Sequence, residues 1–266
     1  MTLKALQYPI KSKRQIELMR KAGHVLRSVM DEVIRRVDVG VSPLELDQFA
    51  EKMIRSRGGR PAFKGLYGFP NTLCVSINEE IVHGIPKNNP LQEGDIISID
   101  CGVEMAGYYA DMAWTAPVGK VSDEAKKLLE TTEQSLYKAI DAAVVPNRLG
   151  AIGRAVEDYV VSRGGFLVQD YGGHGIGQEL HEDPRVENFG PKPGSSNGRL
   201  RPGMTLAIEP MVAVGTGKNE LDKYDEWTVR TADGSLAAHF EHTILITEGK
   251  AEVLTAIDQS KLSLND

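Results

Sequence analysis

Asp100 closes the apolar run Ile96-Ile-Ser-Ile99 and Glu209 closes Thr205-Leu-Ala-Ile208, so both carboxylates stand at the ends of strands that belong in a core. Burying a carboxylate without a partner is strongly unfavourable, and an isolated one protonates instead. Singly, each reads as a capping or salt-bridged acid; as a matched pair they favour a cation between them. Asp111 lies eleven residues after Asp100, across Gly107-Tyr-Tyr-Ala110, which suits the return strand of a hairpin. Glu241, in Ala238-His-Phe-Glu-His242, stands at the entrance to a last apolar strand. Alternation puts His239 and Glu241 on one sheet face and His242 on the other.

Three histidines join these acids. His174 stands in Gly172-Gly-His-Gly-Ile-Gly177, where glycines let the backbone approach a neighbour closely. His181 follows in Leu180-His-Glu-Asp-Pro184, and His83 sits in the rigid turn Val82-His-Gly-Ile-Pro86. A glycine-rich loop can also cradle phosphate, but no Lys-Ser/Thr follows this one, and neither a His-Glu-x-x-His zinc motif nor a Walker sequence is present. Any one of these histidines is more often structural than catalytic. Together with four acids they point to a site that holds a cation.

Elements to position them are legible on both sides. Ser12-Lys-Arg-Gln15 reads as a capping box opening a helix, whose buried face is Ile16, Met19, Val25, Leu26, Val29, Met30, Val33 and Val37. Ser42-Pro-Leu-Glu45 opens a second helix, stopped at Arg57-Gly-Gly59. Ser56-Arg-Gly-Gly59 then returns as Ser162-Arg-Gly-Gly165, offset by 106 residues. Leu91 to Asp100 aligns without a gap on Leu200 to Glu209, offset by 109. Two similar offsets in one order imply an internal duplication, with repeats at about 12–120 and 121–250 in a single domain over 1–266. Strands are expected at 72–77, 95–103, 205–214 and 242–246, where β-branched residues are frequent. The result is an α+β fold: two pseudo-symmetric halves sharing a mostly antiparallel sheet covered by helices, with Asp100 and Glu209 meeting at the centre.

Bulk properties narrow the function classes. A net charge of −6 gives no reason to expect nucleic acid, which needs clustered Lys and Arg. No apolar run fits a signal peptide or the ~18 residues of a membrane span. Cys74 and Cys101, the only two cysteines, suit free thiols in a reducing compartment and read as packing residues. The expected setting is soluble and cytoplasmic.

His83-Gly-Ile-Pro86, Asp100-x-Gly102, Asp111, Gly173-His-Gly-Ile-Gly177, His181-Glu182, Ile208-Glu-Pro210 and Glu241-His242 jointly resemble the type I methionine aminopeptidases, from about residue 10 to 250. The 27 residues between His181 and Glu209 leave no room for the insertion that marks type II enzymes, so the chain looks like a bacterial or organellar form. The resemblance implies the pita-bread fold, with Asp100, Asp111, His174, Glu209 and Glu241 holding two divalent ions (Co, Mn, Fe or Zn). It implies that His83 and His181 act on the substrate without binding metal and that Glu209 shuttles the proton. It also implies a methionine pocket lined by Phe63, Leu66, Phe69, Cys74 and Trp227. Relatives commonly place a Cys and a Tyr where this chain has Phe63 and Leu66. The implied reaction removes the initiator methionine of nascent polypeptides when the second residue is small. The enzyme would be a monomer in transient contact with the ribosome. Two other readings share the fold: an Xaa-Pro aminopeptidase, which usually carries a large extra N-terminal domain, and a catalytically inactive binding protein, which should have lost ligands.

Overall fold

The computed structural model describes residues 8–191 and 197–256. In chain order the elements are α1 (Lys13–Ile34), α2 (Pro43–Ser56), β1 (Arg60–Pro61), β2 (Leu73–Ile77), β3 (Glu80–Val82), β4 (Ile96–Met105), β5 (Tyr108–Pro117), α3 (Asp123–Ala142) and α4 (Leu149–Ser162). There follow β6 (Phe166–Leu167), β7 (Gly172–Gly175), β8 (Glu182–Glu187), β9 (Thr205–Ile208), β10 (Met211–Ala213), β11 (Asn219–Leu221), β12 (Val229–Thr231), β13 (Ala237–His239), β14 (His242–Leu245) and β15 (Glu252–Val253).

Both expected capping boxes form, at Ser12 with Gln15 and at Ser42 with Glu45. They satisfy first-turn N–H groups that have no partner within the helix. Helix α1 buries Met19, Ala22, Leu26, Val29, Met30 and Val33, and ends at Ile34, so Val37 packs from outside it. Gly58 and Gly164, matched by the duplication, both adopt φ +78° just beyond α2 and α4, the left-handed turn that glycine tolerates best.

Among the described residues the expected shared sheet is divided into four separately hydrogen-bonded antiparallel sheets, among them β1-β4-β2 with β5 on β4, and β15-β14-β9-β7-β8. The stretch expected as one strand over 205–214 is broken into β9 and β10 at Glu209-Pro210, where proline has no N–H to give the ladder. The repeat extends into register. Arg60 and Pro61 pair with Glu104 and Val103, while Phe166 and Leu167 pair with Ala213 and Val212. These positions keep the offsets of 106 and 109 seen in the sequence. Helices α1 and α2 cover one half and α3 and α4 the other, and Trp114 packs against both cores.

At the seam, two threonines stand in for a ladder. The Thr243 hydroxyl accepts from Asp111 N–H at 2.9 Å and donates to Asp111 C=O at 2.8 Å. The Thr115 hydroxyl does the same for His239, at 3.0 and 2.7 Å. Each clamp fixes a residue of one half through a side chain of the other.

Close backbone approach makes the glycines of β7 obligatory. A Cβ on Gly173 would lie 2.2 Å from Ala207 O, a backbone atom that cannot swing aside. Gly173→Ala should therefore destabilise the fold by about 1–3 kcal/mol, the usual cost of overpacking. The melting temperature checks this, and an unchanged midpoint would show that β7 and β9 have slack.

Candidate metal centre

Asp100 lies on β4 directly across from Ala113, and Asp111 on β5 directly across from Gly102. The two acids are thus diagonal neighbours on one sheet face, close enough to share a hydrogen bond. Their face also carries Cys74, paired with Asp100 across β2. In the other half, His174 of β7 pairs with Ala207 of β9, which places Glu209, two residues on, diagonally beside it. Glu241 is drawn in by its own N–H, which donates to Ala113 C=O at 2.9 Å. The structure brings all five residues to the floor of one pocket of about 400 Å³. His242, as expected from alternation, points away and meets Thr255 at 2.8 Å.

The chemistry of this floor fits divalent cations. Asp111, His174 and Glu241 each offer a ligand atom within 4.8 Å of the others. Among the described residues five buried side-chain polar atoms have no hydrogen-bond partner, and three of them are here: Asp100 Oδ1, Glu241 Oε1 and His239 Nε2. Such orphans are costly unless something else satisfies them. Burial pushes Asp111 up to about 7, and burial with the Asp111 charge pushes Glu209 up to about 8. Asp100 and Glu241 are driven well above the usual carboxylate range, first by burial and then by the neighbouring acids. Burial holds His174 down to about 4, hence neutral. Its Nδ1 lies 2.8 Å from Gly175 C=O, which can only accept. The proton is therefore on Nδ1, and Nε2 presents its lone pair to the acids, as a ligating imidazole must.

Above the floor, His83 and His181 line the same pocket without joining the acid cluster. His83 adopts φ 59°, in a turn where a Cβ on Gly84 would lie 2.1 Å from Val75 O. Burial lowers its pKa to about 4, with a contribution from His181. His181 stands edge-on to His174, ring centroids 4.6 Å apart, on a turn that Glu182 closes by accepting Gln178 N–H at 2.7 Å. The apolar wall is Phe63, Leu66, Phe69, Cys74 and Trp227, with Phe69 and Trp227 in edge contact at 5.2 Å. Gly102, in Asp100-x-Gly, leaves room for this wall, since a Cβ there would lie 2.8 Å from Phe63 Cε1.

Residues 17–248 match the profile of metallopeptidase family M24. The chain belongs to that family. It is 48% identical to methionine aminopeptidase 1 of Bacillus subtilis, over 93% of this chain and 98% of that one. The crystal structure of a methionine aminopeptidase from Thermotoga maritima superposes with a TM-score of 0.90 at 42% identity, covering 94% of this chain and 99% of the other. A prolidase from Pyrococcus furiosus, at 22% identity and a TM-score of 0.74, shares the fold, and this chain covers 66% of it. This M24 metallopeptidase is thus a hydrolase of the aminopeptidase kind, with the α+β pita-bread architecture. No helix among its described residues is long and apolar enough to cross a membrane.

Two aromatic wall residues went unmarked in the sequence. Tyr67 lies parallel to the His181 ring at 6.4 Å, and Tyr171 meets His83 edge-on at 5.9 Å. The only local signal was an aromatic beside glycine in each case, Tyr67-Gly68 and Tyr171-Gly172.

The raised carboxylates set the sign of a pH effect. Below their pKa values they carry protons that a divalent ion must displace; above them they do not. Affinity of the metal-free M24 peptidase for Mn²⁺ should therefore rise from about pH 6 to about pH 9, with proton release greatest at the acid end. Calorimetry in buffers of different ionisation enthalpy measures both, and a flat profile would remove the acids from the cation site.

Proposed function

We propose that this chain is a dinuclear-metal methionine aminopeptidase, removing the initiator methionine of nascent polypeptides when the second residue is small. One observation carries the reading: orphaned carboxylate oxygens and a lone-pair imidazole form the floor of a pocket whose wall is aromatic rings and a thiol. Asp100, Asp111, His174, Glu209 and Glu241 would hold two divalent ions, whose formal charge of about +4 balances four carboxylates. Mixed carboxylate and imidazole donors suit Co, Mn, Fe or Zn. When bound, such ions supply Lewis acidity and a water of lowered pKa.

The chain's own side chains do the rest. Glu209, half-buried and facing two imidazoles at 3.6 and 3.7 Å, would take a proton from the attacking water and pass it to the leaving amine. His83 and His181, both neutral by burial, can each donate one hydrogen bond to the scissile amide and to the charge that develops on it. The wall of Phe63, Leu66, Phe69, Cys74 and Trp227 suits a thioether, which packs well on aromatic faces. Phe63 is 7% exposed and narrows the pocket on the side of Gly102. Tyr67 stacked over His181 crowds the place of the second residue, which favours small side chains there.

The apolar wall and the Bacillus relative favour methionine over an Xaa-Pro bond, for which the prolidase likeness speaks only through the fold. An inactive binding protein is disfavoured by the intact ligand set. We place the enzyme in the cytoplasm as a monomer, meeting its substrates in transient contact with the ribosome and without nucleic acid as a ligand.

Three measurements test this. Protein supplied with Co²⁺ or Mn²⁺ should release free methionine from Met-Ala-Ser far faster than from Met-Lys-Ser; equal rates, or none, would falsify the reading. Asp100→Asn should lose both activity and bound metal on elemental analysis, and unchanged metal content would strike Asp100 from the ligands. His83→Ala should keep its metal yet lose about 10²–10³ in kcat, the typical worth of one donor to a developing oxyanion.

A further inference from the structure

One buried imidazole beside the centre has no work in the reaction as proposed. His239 is 1% exposed, and its Nε2 has no hydrogen-bond partner. That nitrogen faces Glu209 Oε2 at 3.6 Å, while the other oxygen of the same carboxylate faces His174. His239 does not belong to the cluster of Asp111, His174 and Glu241 whose ligand atoms converge. A lone pair pointed at a carboxylate oxygen is repulsive, whereas an N–H pointed there is attractive. The surroundings of Nε2 therefore favour the tautomer with the proton on that atom.

The duplication supplies a second argument. Thr115 pairs with Ser98 on β4, and Thr243 pairs with Ala207 on β9, the residue 109 positions later. Asp111 precedes Thr115 by four residues and His239 precedes Thr243 by four, so the two occupy the same place in their halves. Both backbones are gripped by the opposite half's threonine at N–H and C=O. In the first half the gripped residue, Asp111, sets its side chain against Asp100. In the second half His239 sets its imidazole against Glu209, the counterpart of Asp100.

We propose that His239 is a positioning residue, whose Nε2–H donates to Glu209 Oε2 and so turns Oε1 toward the cations. The observed gap is longer than the about 2.9 Å of a hydrogen bond. A small rotation of the carboxylate toward His239 closes it, and the imidazole, carried on a backbone that Thr115 grips, sets the direction of that rotation. Held this way, Glu209 keeps one orientation through the proton transfers assigned to it. The inference rests on the metal-centre reading but concerns how the ligand is oriented.

The test compares His239→Ala, His239→Leu and His239→Gln with wild type. Mn²⁺ affinity is read by calorimetry without peptide, kcat and KM are read on Met-Ala-Ser, and thermal melting confirms folding. Removing the donor should weaken Mn²⁺ binding or kcat 10- to 100-fold, as is typical for groups behind a ligand, with KM little changed. His239→Gln, whose amide N–H reaches the same oxygen, should recover most of the loss. Leucine fills the space without a donor, so it stands in if alanine leaves the protein unfolded. Wild-type affinity and kcat in the leucine variant would make His239 mere wall and overturn the proposal. So would a glutamine variant as impaired as leucine, which would assign the imidazole to direct ligation. Because the Mn²⁺ titration needs no peptide, a wild-type protein that binds Mn²⁺ but releases no methionine would overturn the proposed substrate and leave this inference standing.

Discussion

The structure is organised around one electrostatic cost, that of burying four carboxylates against each other. In a low-dielectric interior they lose hydration together, which is why burial raises all four, and neighbouring charge adds to the rise at Asp100, Glu209 and Glu241. Cations at the same point reverse the sign of every one of those interactions. The neighbours are chosen accordingly. The described residues within the pocket include Arg185, whose charge lowers Glu209 only as a lesser contribution. The imidazoles nearby are held neutral by burial instead of neutralising the acids as imidazolium. The fold thus leaves the acids free for a bound cation to ionise, instead of pairing them with charged side chains of its own.

Holding that arrangement falls to backbone more than to side-chain packing. Glycines at 173 and 175 let β7 lie against β9 and β8, where a Cβ would strike carbonyl oxygens. The reciprocal threonine clamps join the halves where regular pairing stops. They let Asp111 and His239 come from strands of different halves yet face one point. The two halves share a scaffold but divide the chemistry unequally. Asp100 and Glu209 match in type, whereas Asp111 is answered by His239, Glu241 by Ala113, and His174 by Ser76. A symmetric frame carrying asymmetric side chains gives the site a direction, with acids, imidazoles and apolar wall on different sides of the pocket.

That asymmetry also explains which parts of the repeat could be read from the chain. The segments at offsets 106 and 109 kept similar residues and were visible. His174 lies 98 residues beyond Ser76, and Thr243 lies 128 beyond Thr115, because loops of unequal length separate the strands. With different offsets and unlike side chains, no alignment of residues alone would pair them. The break at Pro210 follows a rule visible in the sequence, since proline donates nothing, yet the run 205–214 read as continuous because its apolar character is. Val37 fell outside α1 for the opposite reason: its spacing fits the helix, but the backbone had already turned at Arg35 and Arg36.

By itself the sequence determined the helix starts, the glycine stops, the matched acids and the glycine-bound histidines, because each depends on hydrogen bonds or backbone freedom within a few residues. It also carried the joint motif that identifies the family. Tertiary structure alone decided that His174 turns a lone pair toward the acids, that Tyr67 and Tyr171 meet the rings of His181 and His83, and that the Nε2 of His239 faces Glu209. Those relations join residues up to 114 positions apart, as Tyr67 and His181 are, and a tautomer or a ring contact exists only once the second partner is in place.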